Sequence, residues 1–577
     1  MHLLLSACFG IITMLLCIVI MIVNSPNENI DLATRWERTR VAKVLDDQKS
    51  WEGSLVEFAK ETGIPRTTIQ HWNARTDSSD LHPSMVFFFE SAVGEEFLHR
   101  LFVSMMFDLH EHGNASLRGL SAFLRHSQLD RFMSVSKTSL ERAAQDVEGS
   151  VLQFADQEKQ KLSKLMPEKN ISIAEDETFP NGTCMVAIEL RSNFILLEKM
   201  VPDRKTATWD HQMANALKGM PVKVIQSVGD EAKSLVRHVK TGLGAHHSPD
   251  TFHIQQEVTK AGSAQLKLKI KRETEKLVEL NNKTVKLKNK QVASKSVVEK
   301  PQAQPIDYDS QINESVDLIR KQVEHIRAAA QNNTNFHSAR RSLSDIYHPY
   351  SIDSGLKQAS SVVGEKLNAA FDVISNIVSG TGNAFEKRIV KARKLVSAME
   401  ATIIFYFATV AIILDQKGYD QRSRMLLEEF LIPACYLELA ASKSDDKDKA
   451  IEMRYTKNDL MAEYESRSGP FSLYTPQELD DMLKTAKECS AIFQRSSSAV
   501  EGRNGQLALN YHNLHRLSDR KLACLTAIHN FDTRRTDGTT PAERFFEAKH
   551  GDMFEYLLKN VKRVGRPRIR SVLKRAS

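Results

Sequence analysis

One stretch of strand chemistry, residues 171–228, sits inside a chain whose hydrophobic pattern is otherwise helical, and no other feature restricts the fold as much. From Ile171 the string ISIAEDE alternates as a half-buried strand does, and the turn sequence Pro180-Asn181-Gly182 follows it. CMVAIEL and FILLEKMV are separated only by Arg191-Ser192-Asn193, so they read as neighbouring antiparallel strands. A helix is expected from about Thr206 to Leu217. VKVIQSV then reads as a buried strand ending at Gly229-Asp230, before a helix over EAKSLVRHVKTGL. The order is β-β-β-α-β, in which the fourth strand lies beside the first. Asp176 ends the first strand and Asp230 follows the fourth, so the two carboxylates are expected to meet. Glu175 and Glu177 flank Asp176, which leaves the register of the first acid open by one residue.

A chain of 577 residues is too long for one core, so several folded pieces are expected. Residues 255–494 read as an inserted helical domain, with Leu266, Ile270, Leu277, Leu280 and Leu287 at three-, four- and seven-residue spacings. Its first helix carries Lys267, Lys269, Lys271, Arg272, Lys276, Lys283, Lys286, Lys288 and Lys290. Such a run either tracks a phosphate backbone or is a solvated face. Residues 294–310 lack periodicity and read as a linker. Ala401–Leu414 is apolar but short and bracketed by Glu400 and Asp415, as a buried core helix is.

Residues 495–547 return to the strand-bearing core begun at 168–254. Glu501 falls near a helix start beside Gly502 and Gly505, whose missing side chains would admit a close backbone. Arg503 and Lys521 are placed as phosphate partners. Ser518 is expected to cap the next helix, and Thr540-Pro541-Ala542-Glu543 forms a capping box with Pro at the first helical position.

Ahead of the core, residues 26–80 contain LVEFAKETGIPRTTIQHW, with Ala59, Gly63 and Ile69 at the spacing of a helix-turn-helix. The small residue lets the helices approach, Gly accepts the positive φ of the turn, and Ile69 plugs the shared core. Arg66, Thr67, Thr68, Gln70 and His71 on the second helix would then face a DNA major groove, although an ordinary helical hairpin has the same pattern. Residues 95–147 form a second helical module, with an apolar stripe of Leu98, Leu101, Phe102, Met105, Met106 and Leu109 ended by Gly113-Asn114. Ser136 is a candidate N-cap. This module is either a second DNA-binding unit or a structural bundle.

Six cysteines without a C-x-x-C pair argue against a zinc ribbon or a disulfide scaffold, and a reducing compartment follows. With 79 basic against 72 acidic residues the net charge of +7 is too small to dictate a partner. Residues 1–25 hold the uncharged run Leu3–Val23, long enough for a transmembrane helix. The basic residues after it would leave the bulk of the chain cytoplasmic, and upstream sequence read through from an early start codon gives the same string. The basic tail, 548–577, contains Gly565-Arg566-Pro567-Arg568, either an AT-hook-like core or a generic basic end.

FQRSSSAVEGRNG followed by HNLHRLSDRKLACLTAIHNFDTRRTDGTTPAERFF resembles the C-terminal signature of bacterial insertion-sequence transposases of the DDE, RNase H-like superfamily. AEDETF and SVGDEAKSL resemble the strands that bear that superfamily's first two aspartates. The resemblance runs from about Trp51 to Phe546. It implies an α/β RNase H-like catalytic core interrupted by a large all-α insertion and preceded by helix-turn-helix modules. It further implies that Asp176, Asp230 and Glu501 are catalytic ligands of two Mg²⁺ ions, for which Mn²⁺ can substitute. The expected activity is cleavage and strand transfer of double-stranded DNA at element ends and target, by a cytoplasmic, nucleoid-associated homodimer. His246, His247 and His253 read as structural or phosphate-contacting. The readings that compete are a DNA-binding protein of the same fold without chemistry, and a membrane-anchored scaffold.

Overall fold

The computed structural model describes residues 38–76, 83–89, 91–180, 182–296, 307–379, 382–444, 446–466, 468–514 and 517–565. The apolar run at 3–23, residues 566–568 of the tail motif and most of the 294–310 segment lie outside the described residues. Two compact units are present, Met1–Val147 with Leu558–Ser577 and Glu148–Leu557.

The first unit opens with α1 (Arg38–Lys49), α2 (Leu55–Thr62) and α3 (Arg66–Thr76). Ser54 and Glu57 close a capping box on α2, and Gly63 ends it at φ 66°, a left-handed conformation that glycine adopts without a Cβ penalty. Val41, Leu45, Phe58, Ile64, Ile69 and Trp72 form the shared core, with Ala59 packed against it. α4 (Pro83–Phe89) and α5 (Ala92–Ser104) follow, and α5 runs into a π-helical turn over Met105–His112. The wider turn breaks the helical register, so Leu98, Phe102, Met105 and Met106 are buried while Leu109 turns outward, 47% exposed. α6 (Leu117–His126) precedes α7 (Lys137–Leu165), which begins where Ser136 Oγ accepts from the Ser139 amide. α7 continues well past residue 147, the expected end of this helical block.

The second unit carries one five-stranded sheet. β1 (Lys169–Thr178), β2 (Thr183–Glu189) and β3 (Ile195–Val201) form the antiparallel meander, α8 (Thr206–Leu217) crosses over, and β4 (Val222–Gly229) pairs parallel with β1. The expected single helix after β4 is instead the short α9 (Lys233–Arg237) and a π turn, His238–Gly242. An unexpected fifth strand, β5 (His246–Pro249), pairs parallel with β4, giving the order β3-β2-β1-β4-β5. Four residues reading HHSP carry too little alternation to announce a strand.

The insertion is α10 (Thr251–Ser296), α11 (Tyr308–Ile346), α12 (Ser360–Val378), α13 (Asn383–Arg393), α14 (Val396–Gln416), α15 (Gln421–Leu426), α16 (Ile432–Ser442), α17 (Lys447–Glu465) and α18 (Pro476–Ser490). Its core gathers Phe336, Tyr347, Tyr350, Phe371, Tyr406 and Phe493 with many aliphatic residues. Gly262 is required here, because a Cβ would stand 2.4 Å from the Phe336 ring. Asn383–Gln416 is long and apolar enough to cross a membrane by length and composition alone. Within it Ile403, Tyr406, Val410, Ile413 and Leu414 are buried in this core. The chain then returns as α19 (Ser498–Leu514), α20 (Asp519–Phe531), α21 (Pro541–Phe546) and α22 (Met553–Asn560), with the Thr540/Glu543 capping box in place. Val500, Leu507, Leu522 and Leu525 of α19 and α20 pack on Ala174, Val186, Ile188 and Val228, so they cover one face of the sheet.

Candidate active site

The side-chain period of two along β1 separates its three acids. Ala174 packs in the core under α19, and Asp176 shares its face. Asp176 Oδ2 accepts from Asn504 Nδ2 of α19 at 2.9 Å. Glu175 and Glu177 point the other way. Glu175 is fully buried, accepts from Ser227 Oγ at 2.5 Å and lies 3.2 Å from His238 Nε2. Glu177 accepts from Trp209 Nε1 at 3.1 Å and pairs with Arg204 at 3.6 Å. Asp176 is therefore the β1 acid on the α19 face, and its two neighbours face away from it.

Asp230 follows β4, the neighbour of β1, and its Oδ1 accepts from the Ala232 amide at 2.9 Å. Glu501 occupies the first turn of α19. Burial pushes the Asp176 carboxyl up to about 7, and the charges of Glu501 and Asp230 push it the same way, against the Glu177 backbone and His253. Three acids distant in sequence thus form one electrostatic group. The structure places Asp176 within electrostatic reach of both Asp230 and Glu501.

Sequence reasoning missed the group that seats Glu501. Asp250, buried directly after β5, accepts from the Phe252 amide at 2.9 Å and the Ser497 amide at 3.2 Å, and from Ser497 Oγ. Thr251 adds bonds from its amide and hydroxyl to the Arg495 carbonyl, at 3.0 and 2.7 Å. The departure and the return of the insertion are tied at this point. His253 Nδ1 donates to Asp250 Oδ2 at 2.7 Å, and its Nε2 lies 3.7 Å from Glu501 Oε1. The Asp250 hydrogen bond raises His253 to about 9 against burial, with the charges of Asp250, Asp176 and Glu501 adding to it. At neutral pH an imidazolium therefore stands among the carboxylates. His247 sits apart from it, with Nε2 3.2 Å from Glu231, and His246 stacks on Phe405.

On the opposite face of the sheet, His238 Nδ1 donates to Asp210 at 2.6 Å. Burial alone would lower its pKa, but the hydrogen bonds and charges of Glu175 and Asp210 outweigh burial and raise it. This set, in which Glu175 and His238 are buried and Asp210 is partly exposed, links β1 to α8 on the face away from α19.

Two expected DNA contacts are corrected. Arg503, 7% exposed, is bidentate to Glu198 of β3 at 2.7 and 2.6 Å, and Thr526 shares that carboxylate at 2.6 Å. Lys521, also 7% exposed, is buried in the first turn of α20. Neither is presented to a phosphate, because α19 turns Arg503 onto β3 and Lys521 is covered where it stands. Gly502 and Gly505 do face open space, since an added Cβ at either would meet nothing within 4 Å. In the other unit Arg66, Thr67, Gln70 and His71 are exposed on α3, and Thr68 is half-buried.

Among the described residues no three His, Cys, Asp or Glu side chains stand ready to close around a metal ion. Mg²⁺ asks for less, since it keeps several waters and takes one or two carboxylates plus substrate phosphates. By that standard the donors fit. Asp176, Asp230 and Glu501 offer hard oxygens, and the proton that burial and like charge hold on Asp176 is one a cation would displace. Asn504 Oδ1, buried and without a hydrogen-bond partner among the described residues, is a neutral oxygen on the side chain that bonds Asp176.

A family of unknown function, DUF6399, matches residues 427–572, about a quarter of the chain. The matched segment includes Glu501 and Asn504 and excludes Asp176 and Asp230. No curated protein and no solved structure matches the chain.

Proposed function

We propose that the chain is a DNA transposase, a Mg²⁺-dependent strand-transfer enzyme with an RNase H-like core interrupted by a helical insertion. The observation that carries this reading is the electrostatic union of Asp176, Asp230 and Glu501 from two adjacent strand ends and a helix start. The sheet order, with β1 between antiparallel β2 and parallel β4, supports it. So does a helix-turn-helix with exposed polar residues on its second helix.

Asp176, Asp230 and Glu501 would hold the cations, and Asn504 would orient Asp176. Bound there, Mg²⁺ supplies Lewis-acid stabilisation of the attacking and leaving oxygens of a phosphodiester. His253 holds its proton through Asp250 and steadies Glu501 before a cation arrives. Gly502 and Gly505 leave room for a sugar-phosphate backbone at the first turn of α19. α3 would read the element ends, and a second copy of the chain would handle the second end.

The test is cleavage of double-stranded DNA carrying the terminal sequences of the element. The wild-type chain cuts in Mg²⁺ or Mn²⁺ and not in a chelator, and Asp230→Asn binds the same DNA without cutting it. Full activity in that variant would remove Asp230 from the mechanism. A second reading, a DNA-binding protein of the same fold without chemistry, draws on the imidazolium already neutralising the acids. Binding without any metal-dependent nicking by the wild-type chain selects it.

A further inference from the structure

α10 and α11 form a long antiparallel hairpin, paired through Gln291 with Asp309, Thr284 with Ser315 and Gln322 with Glu273. From Leu266 to Gln291 the only residues of α10 that are not exposed are 266, 270, 273, 277, 280, 284, 287 and 291. That alternation of four and three is the seam of a two-stranded coiled coil. Every other position of this stretch faces solvent, so the hairpin stands as an arm about 40 Å long.

The charge on the arm is lopsided. Between Asn281 and Lys295 α10 carries Lys283, Lys286, Lys288, Lys290 and Lys295 and no acid, all five are exposed, and none forms an ion pair among the described residues. Lys283, Lys286 and Lys290, at i, i+3 and i+7, share one helical face beside the seam. Of the acids that α11 brings alongside, Asp309 accepts from Gln291 and Asp317 pairs with Arg320, which leaves Glu314 exposed. Neither Phe, Tyr nor Trp occurs from His253 to Asp307. α10 thus lacks the stacking platforms that single strands need and the bulky aromatic face that an interfacial membrane helix needs, and α11 brings only Tyr308, half-buried at its first turn, to the same end of the arm. What remains is a row of unneutralised ammonium groups at helical spacing, suited to a rigid polyanion.

We propose that the distal half of α10 is a second DNA contact, on which Lys283, Lys286 and Lys290 grip the phosphate backbone of a duplex without reading its sequence. The proposal rests on the DNA-directed reading above but is tested apart from it. Phosphate contacts by lysine release counterions, so each one steepens the dependence of log affinity on log salt by about 0.9.

The experiment measures binding of the full chain to a fluorescent duplex of arbitrary sequence across a salt series. Lys283→Gln, Lys286→Gln and Lys290→Gln are combined in one variant, and circular dichroism confirms that it folds. The slope is expected to fall by about 2 to 3, with affinity near 0.1 M salt at least about tenfold weaker. A control chain carries Lys366→Gln, Lys387→Gln and Lys484→Gln, exposed positions elsewhere in the insertion. It loses the same charge and should keep the wild-type slope. An unchanged slope in the arm variant, or an equal loss in the control, overturns the proposal. So does a wild-type chain that binds anionic vesicles and no duplex, or an arm variant whose only change is its oligomeric state. Mg²⁺-dependent nicking of plasmid by the wild-type chain is scored separately. Its absence, with lysine-dependent duplex binding intact, would count against the transposase reading and leave the arm contact standing.

Discussion

Asp176 and His253 make the candidate site sensitive to pH in the same direction. The Asp176 carboxyl titrates near 7 in the folded chain against 3.8 for the free group, so the folded state holds the extra proton between those values. Its stabilising effect is complete below the lower value and is lost as pH rises through the upper one. His253, raised from 6.5 to about 9, behaves likewise in the next window. The stability contributed by these two groups should therefore fall as pH is raised from about 4 to about 9, opposite in sign to the contribution of His246 and His348, whose pKa values are lowered by burial. Asp176→Asn should flatten the lower part of that fall and His253→Gln the upper part. Thermal denaturation across that range checks both, and a parallel decline in all three proteins would refute the assignment. Arg503 teaches the complementary lesson about single residues. Its type and its place between two glycines suggested a phosphate contact, but nothing local in the sequence announces that Glu198, some 300 residues earlier, claims it. Burial is decided by which face of α19 meets the sheet, and a charged residue on that face breaks the pattern from which the face would be read.

Elements were legible where periodicity was strong. The meander, α8 and β4 follow from alternation and turn residues, and capping boxes located α2 and α21. β5 escaped notice because four residues give a period of two almost no room, and its Asp250 looked like one acid among many. That carboxylate joins the start of α10 to the segment entering α19 through four donors. Asp250→Ala should strand several of them and cost at least about 3 kcal/mol, seen as an earlier urea midpoint. Asp250→Asn, which keeps a carbonyl acceptor, should recover part of that loss. Equal midpoints for wild type and the Ala variant would show that the junction is held by something else. The π turn in the first unit is a similar case, since a single widened turn moves Leu109 outward while the residues before it keep their places.

At the scale of the molecule, the helical insertion has a base that is packed and an arm that is not. Between Ile270 and Ile326 the buried residues among those described are Thr284, Ser315 and Gln322, all bonded across the hairpin, and none belongs to the core of the insertion. Replacing residues 271–325 with a short Gly-Ser turn should leave the melting temperature within a few degrees of wild type, by the same scanning measurement. A collapse of the core on that excision would mean that the arm is structural. The seam of this hairpin was only partly legible in the sequence. Leu266, Ile270, Leu277, Leu280 and Leu287 marked it, whereas Glu273, Thr284 and Gln291 fill seam positions with polar side chains that bond across to α11.

The third acid of the candidate site lies 271 residues beyond the second, with the whole insertion between them. A ribosome adding about 5–20 residues per second needs roughly 15–50 seconds to cover that distance. During this interval the emerging chain already has its sheet and its first two aspartates but lacks the helix that completes the set. Under the proposed function, a nascent polypeptide of this design is chemically silent beside the nucleic acid around it until translation is nearly finished, and a truncated product stays silent for good.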